Sequence, residues 1–127
     1  MLKESPAFSG FSVRDIEEAR AFYGDTLGLD AAITPEGLSI TFGNGVSVFL
    51  YPKPDHVPAT FTVLNFPVED IDAAVDMLTE KGIRFEHYEG EIQTDEKGIA
   101  RPGAEGMGPA IAWFKDPSGN ILSVLEE

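Results

Sequence analysis

FSVRDIEEARAFYGDTLGL at 11–29 decides the fold, because FPVEDIDAAVDMLTEKGI at 66–83 repeats it in altered form. Phe11, Val13, Asp15, Ile16 and Ala19 recur 55 positions on as Phe66, Val68, Asp70, Ile71 and Ala74. The second copy is one residue shorter before its glycine. A repeat on this scale sets the architecture before any other feature does, and here it specifies two related modules.

Each copy carries the same local instructions. A strand end runs into Asp15 or Asp70, a residue whose carboxylate can accept hydrogen bonds from the unpaired first-turn amides of a helix. Acidic residues follow, Glu17 and Glu18 in one copy and Asp72 in the other, where they complement the positive end of the helix dipole. Ile16, Ala19, Phe22, Tyr23 and Leu27 form an apolar stripe at helical spacing in the first helix, and Ile71, Ala74, Val75 and Leu78 do so in the second. Gly28 and Gly82 are the expected stops, since a helix commonly ends on a left-handed residue.

Around these helices the chain reads as strands. Ala7–Val13 precedes the first helix; Ala31–Thr34, Leu38–Phe42 and Val46–Tyr51 follow it, the last two joined by Gly43-Asn44-Gly45, a strong hairpin signal. Residues 52–58 hold three prolines and serve as a linker outside any regular sheet. In module two Ala59–Val68 is a strand, Asp70–Lys81 a helix and Arg84–Tyr88 a further strand. Glu89–Gly108 is a long loop with one edge strand at most, and Pro109–Lys115 and Asn120–Leu125 pair across Asp116-Pro117-Ser118-Gly119. The expected class is α+β, with two βαβββ modules (about 7–51 and 59–127) in one domain with a shared core.

The chain has 127 residues, 22 acidic against 9 basic, and a net charge of −13, which opposes nucleic-acid binding. The excess is uneven, −4 over residues 1–55 and −9 over 56–127, and suits either a cationic ligand or a solvated acidic surface. There is no cysteine, no signal-peptide pattern and no apolar run of membrane-spanning length, so a cytoplasmic protein without membrane contact is expected. The glycine-rich GAEGMG at 103–108 lacks the lysine of a phosphate-binding loop, and no Ser-His-Asp pattern is evident.

Strand alternation sorts side chains by face. Phe11, Val13, Phe66 and Val68 fall beneath the helices, which leaves an open face in each module bearing Phe8, Ser12, Ser47, Phe49, Tyr51, Val63, Asn65, Trp113 and Ser123. Apolar walls with interspersed polar groups are the usual composition of a small-molecule site, although the same residues would also suit a plain sheet-on-sheet core.

The segments VRDIEEARAFYGDTLGL, VEDIDAAVDMLTEKGI and WFKDPSGNILSVLEE together resemble the vicinal oxygen chelate superfamily, which includes glyoxalase I, extradiol dioxygenases and bleomycin-resistance proteins. The resemblance implies sheets that curl into a cup, commonly within a homodimer. It also implies metal ligands on the first and last strands of each module, positions held here by Phe8, Val63, Phe49 and Ser123. Phe and Val cannot ligate a metal and a lone Ser is a poor ligand, so neither metal nor other cofactor is expected. His56 in the linker, His87 beside Glu86, Glu89 and Glu91, and Arg101 in the long loop show no recognisable ligand spacing.

The expectation is therefore a metal-free, dimeric protein that holds a small hydrophobic or cationic molecule in the cup between modules. One alternative is a lyase, isomerase or dioxygenase-type enzyme of the same superfamily that uses Tyr51, His87 or a loop carboxylate at an unconventional site. Another is a structural domain whose cup is filled by its own side chains.

Overall fold

A computed structural model of the chain describes residues 1–102 and 108–127, so the 103–107 part of the GAEGMG stretch lies outside the described residues. The chain divides into two compact units, Met1–Pro58 and Ala59–Glu127, with the boundary at the end of the proline-rich segment.

Module one runs β1 (Ser9–Val13), α1 (Ile16–Arg20), β2 (Asp30–Thr34), β3 (Gly37–Thr41) and β4 (Ser47–Pro52). Its sheet has the order β1-β4-β3-β2, with β1 parallel to β4 and the other pairs antiparallel. Module two repeats this plan with β5 (Thr62–Val68), α2 (Ile71–Glu80), β6 (Ile99–Ala100), β7 (Ile111–Lys115) and β8 (Ile121–Glu126), in the order β5-β8-β7-β6. Again the first and last strands are parallel. The expected α+β class with two βαβββ modules is what the chain adopts.

The helix signals act as expected. Asp15 accepts a hydrogen bond from Glu18 N at 2.9 Å and Asp70 from Ala73 N at 3.1 Å, and Gly28 and Gly82 take positive φ of 73° and 94°. In α2 a second carboxylate assists, Glu126 Oε2 accepting from Ile71 N at 3.0 Å. The two helices differ in one respect. Where α2 is regular, α1 widens into a π-helical segment over Ala21–Thr26, in which Leu27 N donates to Phe22 O five residues back. The extra residue of the first copy explains it: a π turn absorbs one insertion while the flanking residues keep their register. At the helix end Ile83 N reaches back five residues to Leu78 O, whereas Leu29 N reaches back six to Tyr23 O.

Each module packs its helix over one face of its own sheet. Val13, Tyr23, Leu38, Ile40 and Leu50 are fully buried in module one, and the Tyr23 ring meets Phe11 and Phe22 edge-on. In module two Ile71, Val75, Phe114 and Leu122 play the same part, with Phe85 edge-on to Phe114.

Two expectations are corrected. Pro52 does join the sheet, as the last residue of β4 opposite Val13; Lys53 N then donates to Val13 O, so the missing proline donor is tolerated at the strand end. Arg84–Tyr88 does not form a strand. It makes a single bridge, Phe85 to Phe114, because Ile99–Ala100 occupies the rest of the β7 edge. His87 consequently lies outside any strand and is exposed.

One turn is used twice in module two. Asp95 Oδ1 accepts from Lys97 N and Ile99 N while Asp95 N donates to Ile99 O. Asp116 Oδ1 accepts from Ser118 N and Asn120 N while Asp116 N donates to Asn120 O. The Asp-x-x-Gly pattern supplies an acceptor at the first position and a flexible residue at the fourth.

Candidate functional site

With one face of each sheet under its helix, the candidate site residues are sought on the opposite faces. In module one Phe49 on β4 lies between Gly10 on β1 and Ser39 on β3. A Cβ at Gly10 would stand 2.9 Å from Phe49 O, so the missing side chain lets the two strands approach. Phe8 and Phe49, with Val46, Ser39, Ser47 and Glu36, line a concavity of about 600 Å³. Tyr51 stacks on Phe49, with ring centres 6.2 Å apart and planes 20° from parallel. Ser47 shares a hydrogen bond with Thr41, and Ser12 shares a 2.6 Å hydrogen bond with His56 Nδ1. The proline-rich segment thus brings its histidine back to β1.

In module two the register-equivalent row is Asn65 on β5, Ser123 on β8 and Trp113 on β7. Ser123 is fully buried and its hydroxyl donates to Asn65 Oδ1 at 2.6 Å. Trp113 meets Tyr88 edge-on at 5.6 Å and 70°. Burial pushes the Tyr88 phenol above its ordinary value, and Glu86 adds to this while Lys115 opposes it. These rings, with Thr62, Ile121, Glu89, Glu91 and Ile92, line a concavity of about 690 Å³.

A β-bulge separates Val63 from the role the repeat gives it. Thr62 pairs with Ile121 and Leu64 with Leu122, which leaves Val63 as the extra residue. Thr62 therefore takes the register position that corresponds to Phe8. Phe8, Ser47 and Phe49 come together in one concavity, Tyr51 joins them through Phe49, and Asn65, Ser123 and Trp113 share one row. Thr62, Tyr88 and Ile92 were not singled out by the sequence, and Glu89 and Glu91 entered it only as neighbours of His87. Of these only Tyr88 carried a signal, an aromatic residue just before a charge-rich loop.

The superfamily's metal positions fail a test of donor chemistry. Phe8 and Phe49 offer no donor atom, Thr62 in the place expected of Val63 offers only a neutral hydroxyl, and Ser123 already commits its hydroxyl to Asn65. Among the described residues no group of three or more His, Asp or Glu side chains could hold a metal ion. Arg101 is engaged with Asp72 at 2.8 Å and Asp95 at 3.0 Å. No helix among the described residues is long and apolar enough to cross a membrane.

Comparison with known proteins agrees with this architecture. The Glyoxalase/Bleomycin resistance protein/Dioxygenase superfamily matches residues 8–124. A superfamily member from Sphaerobacter thermophilus is 25% identical with a TM-score of 0.63, covering 95% of this chain and 97% of that one. An antibiotic-binding protein from Streptomyces sp. CB03234 is also 25% identical, with a TM-score of 0.63 and 94% of each chain covered. A glyoxalase family protein from Enterococcus faecalis, 18% identical with a TM-score of 0.69 over 99% of this chain and 100% of that one, shows the same fold. No curated protein matches the sequence. By its sequence match and its fold, the chain belongs to the glyoxalase/bleomycin resistance protein/dioxygenase superfamily.

Proposed function

We propose that this protein is a metal-free binding protein of its superfamily, which acts as a cytoplasmic homodimer and holds a small hydrophobic or cationic molecule against its open sheet faces. The observation that carries this reading is the composition of those faces: aromatic rings interleaved with hydroxyl and amide groups and, among the described residues, no donor set for a divalent cation. Phe8, Ser12, Ser47, Phe49 and Tyr51 in module one, and Asn65, Trp113 and, in the place expected of Val63, Thr62 in module two, are the proposed contacts, with the fully buried Ser123 orienting Asn65. The similarity to an antibiotic-binding protein supports a drug-sized organic ligand. The charge of −13 favours a cationic or neutral molecule over a nucleic acid or other anion.

The test is a thermal-shift panel of aromatic, aliphatic and cationic compounds followed by Trp113 fluorescence. A ligand at a hundredfold excess over its Kd stabilises the folded state by about 2.7 kcal/mol, a rise of several degrees in melting temperature for a domain this size. A panel in which no compound moves either signal would overturn the reading. Size-exclusion chromatography with light scattering checks the homodimer.

A further inference from the structure

We infer that the module-two concavity selects an alkylammonium cation, a deepening that rests on the binding function proposed above. Four observations converge there. Tyr88 and Trp113 cross at 70° with ring centres 5.6 Å apart, so two π systems lie together at an angle; an aromatic ring face attracts a cation through its quadrupole. Glu89 and Glu91 stand on the rim of the same concavity, and no Lys or Arg is among its described lining residues. Lys115, two positions along β7 from Trp113, is paired with Glu86 at 3.3 Å, so its charge is locally balanced. Finally, Tyr88 is held in place. Its amide donates to Thr94 Oγ1 at 2.9 Å and its carbonyl accepts from Thr94 N at 3.1 Å. These two bonds close the chain on either side of residues 89–93 and present the ring without further ordering, which lowers the entropy cost of capture.

The module-one concavity lacks this combination. It is lined by phenylalanines, aliphatic groups and hydroxyls with Glu36 as its one described acid, a surface suited to neutral apolar groups.

The experiment uses the full chain, whose single tryptophan is Trp113, and titrates it by fluorescence with choline and with 3,3-dimethyl-1-butanol, the uncharged carbon analogue. Choline is expected to change Trp113 emission saturably and to bind at least about tenfold more tightly than the analogue. The doubly substituted Glu89→Gln/Glu91→Gln variant is expected to lose most of that difference, and Tyr88→Leu to lose it as well, with circular dichroism confirming that both remain folded. Equal affinity for choline and the alcohol overturns cation selection but leaves an apolar ligand in place. No response to choline at any concentration also overturns it, and the compound panel then decides the broader reading separately.

Discussion

Across the open face of module one the central row is Gly10, Phe49, Ser39; in module two the equivalent row is Asn65, Ser123, Trp113. The large ring has moved from the last strand of its module to the one before it, and a hydrogen-bonded Asn–Ser pair takes the positions that Gly10 and Phe49 hold. Beneath the helices some positions keep their residue, Val13 as Val68, Ile16 as Ile71 and Ala19 as Ala74, and others trade volume, Leu38 for Ala112 and Ile40 for Phe114, but all stay apolar. Burial explains the contrast. A buried position can change volume when its neighbours change with it but has to stay apolar, whereas an open face can change its chemistry without unfolding the module. The two halves therefore share a scaffold and offer different surfaces.

Substitutions can break this comparison in graded steps. Phe114→Ala removes a ring that is 1% exposed and packed against Phe85, and is expected to cost about 3–5 kcal/mol in chemical denaturation. A loss below 1 kcal/mol would show that the module-two core is not the one described. Asp116→Ala comes next. It strands two backbone amides and the Asn120 side-chain amide, at a cost of about 2–3 kcal/mol, whereas Asp95→Ala in the same turn geometry is less buried and should cost about 1 kcal/mol. Equal costs would mean that burial does not separate the two turns.

Deleting Asp25 from the π-helical segment gives the first helix the length of the second, and stability should stay within about 1 kcal/mol. Amide chemical shifts and exchange protection for residues 21–27 would report a return to regular helix. Unfolding of module one instead would show that the wide turn is needed to seat Tyr23.

The smallest effect concerns Asp72, which hydrogen bonds from Arg101 and Lys97 hold at about 2, below its ordinary 3.8. A carboxyl lowered in the folded state contributes stability above its unfolded value and loses it as the pH falls, here between 3.8 and about 2. The pair is solvent-exposed, so salt screens it. NMR titration should place the Asp72 midpoint near 2 at low salt and higher in Arg101→Gln; a midpoint at 3.8 would show that the pairing does not persist in solution.

Much of the scaffold was legible because it is written locally. Asp15, Asp70, Gly28 and Gly82 act within a turn of their own positions, and the alternation of Val46–Tyr51 reports one strand's two faces. What escaped depends on partners distant in sequence. Val63 becomes a bulge only against β8, and the Ser12–His56 bond spans 44 residues. Arg84–Tyr88 carries a strand-like pattern, but it competes with Ile99–Ala100 for one edge and loses most of it. Glu89, Glu91 and Ile92, which line the module-two concavity, lie in a segment with no period, where sequence offers no face assignment. The π-helical segment was written in the one-residue length difference, but as a count and not as a pattern of polarity.

The divided outer edge of β7 bears on solubility. Ile111-Ala112-Trp113-Phe114-Lys115 is an apolar, strand-prone run, the kind of sequence that recruits another chain when its backbone groups are unpaired. Glu86 N donates to Trp113 O at 2.8 Å, Phe85 bridges to Phe114, and Ile99 and Ala100 pair with the other half. Two short pieces blunt the edge, and Asp72, Asp76, Lys97 and Arg101 tie one of them to α2. The same two pieces that complete the module-two sheet therefore also leave little of the β7 edge for another chain to pair with.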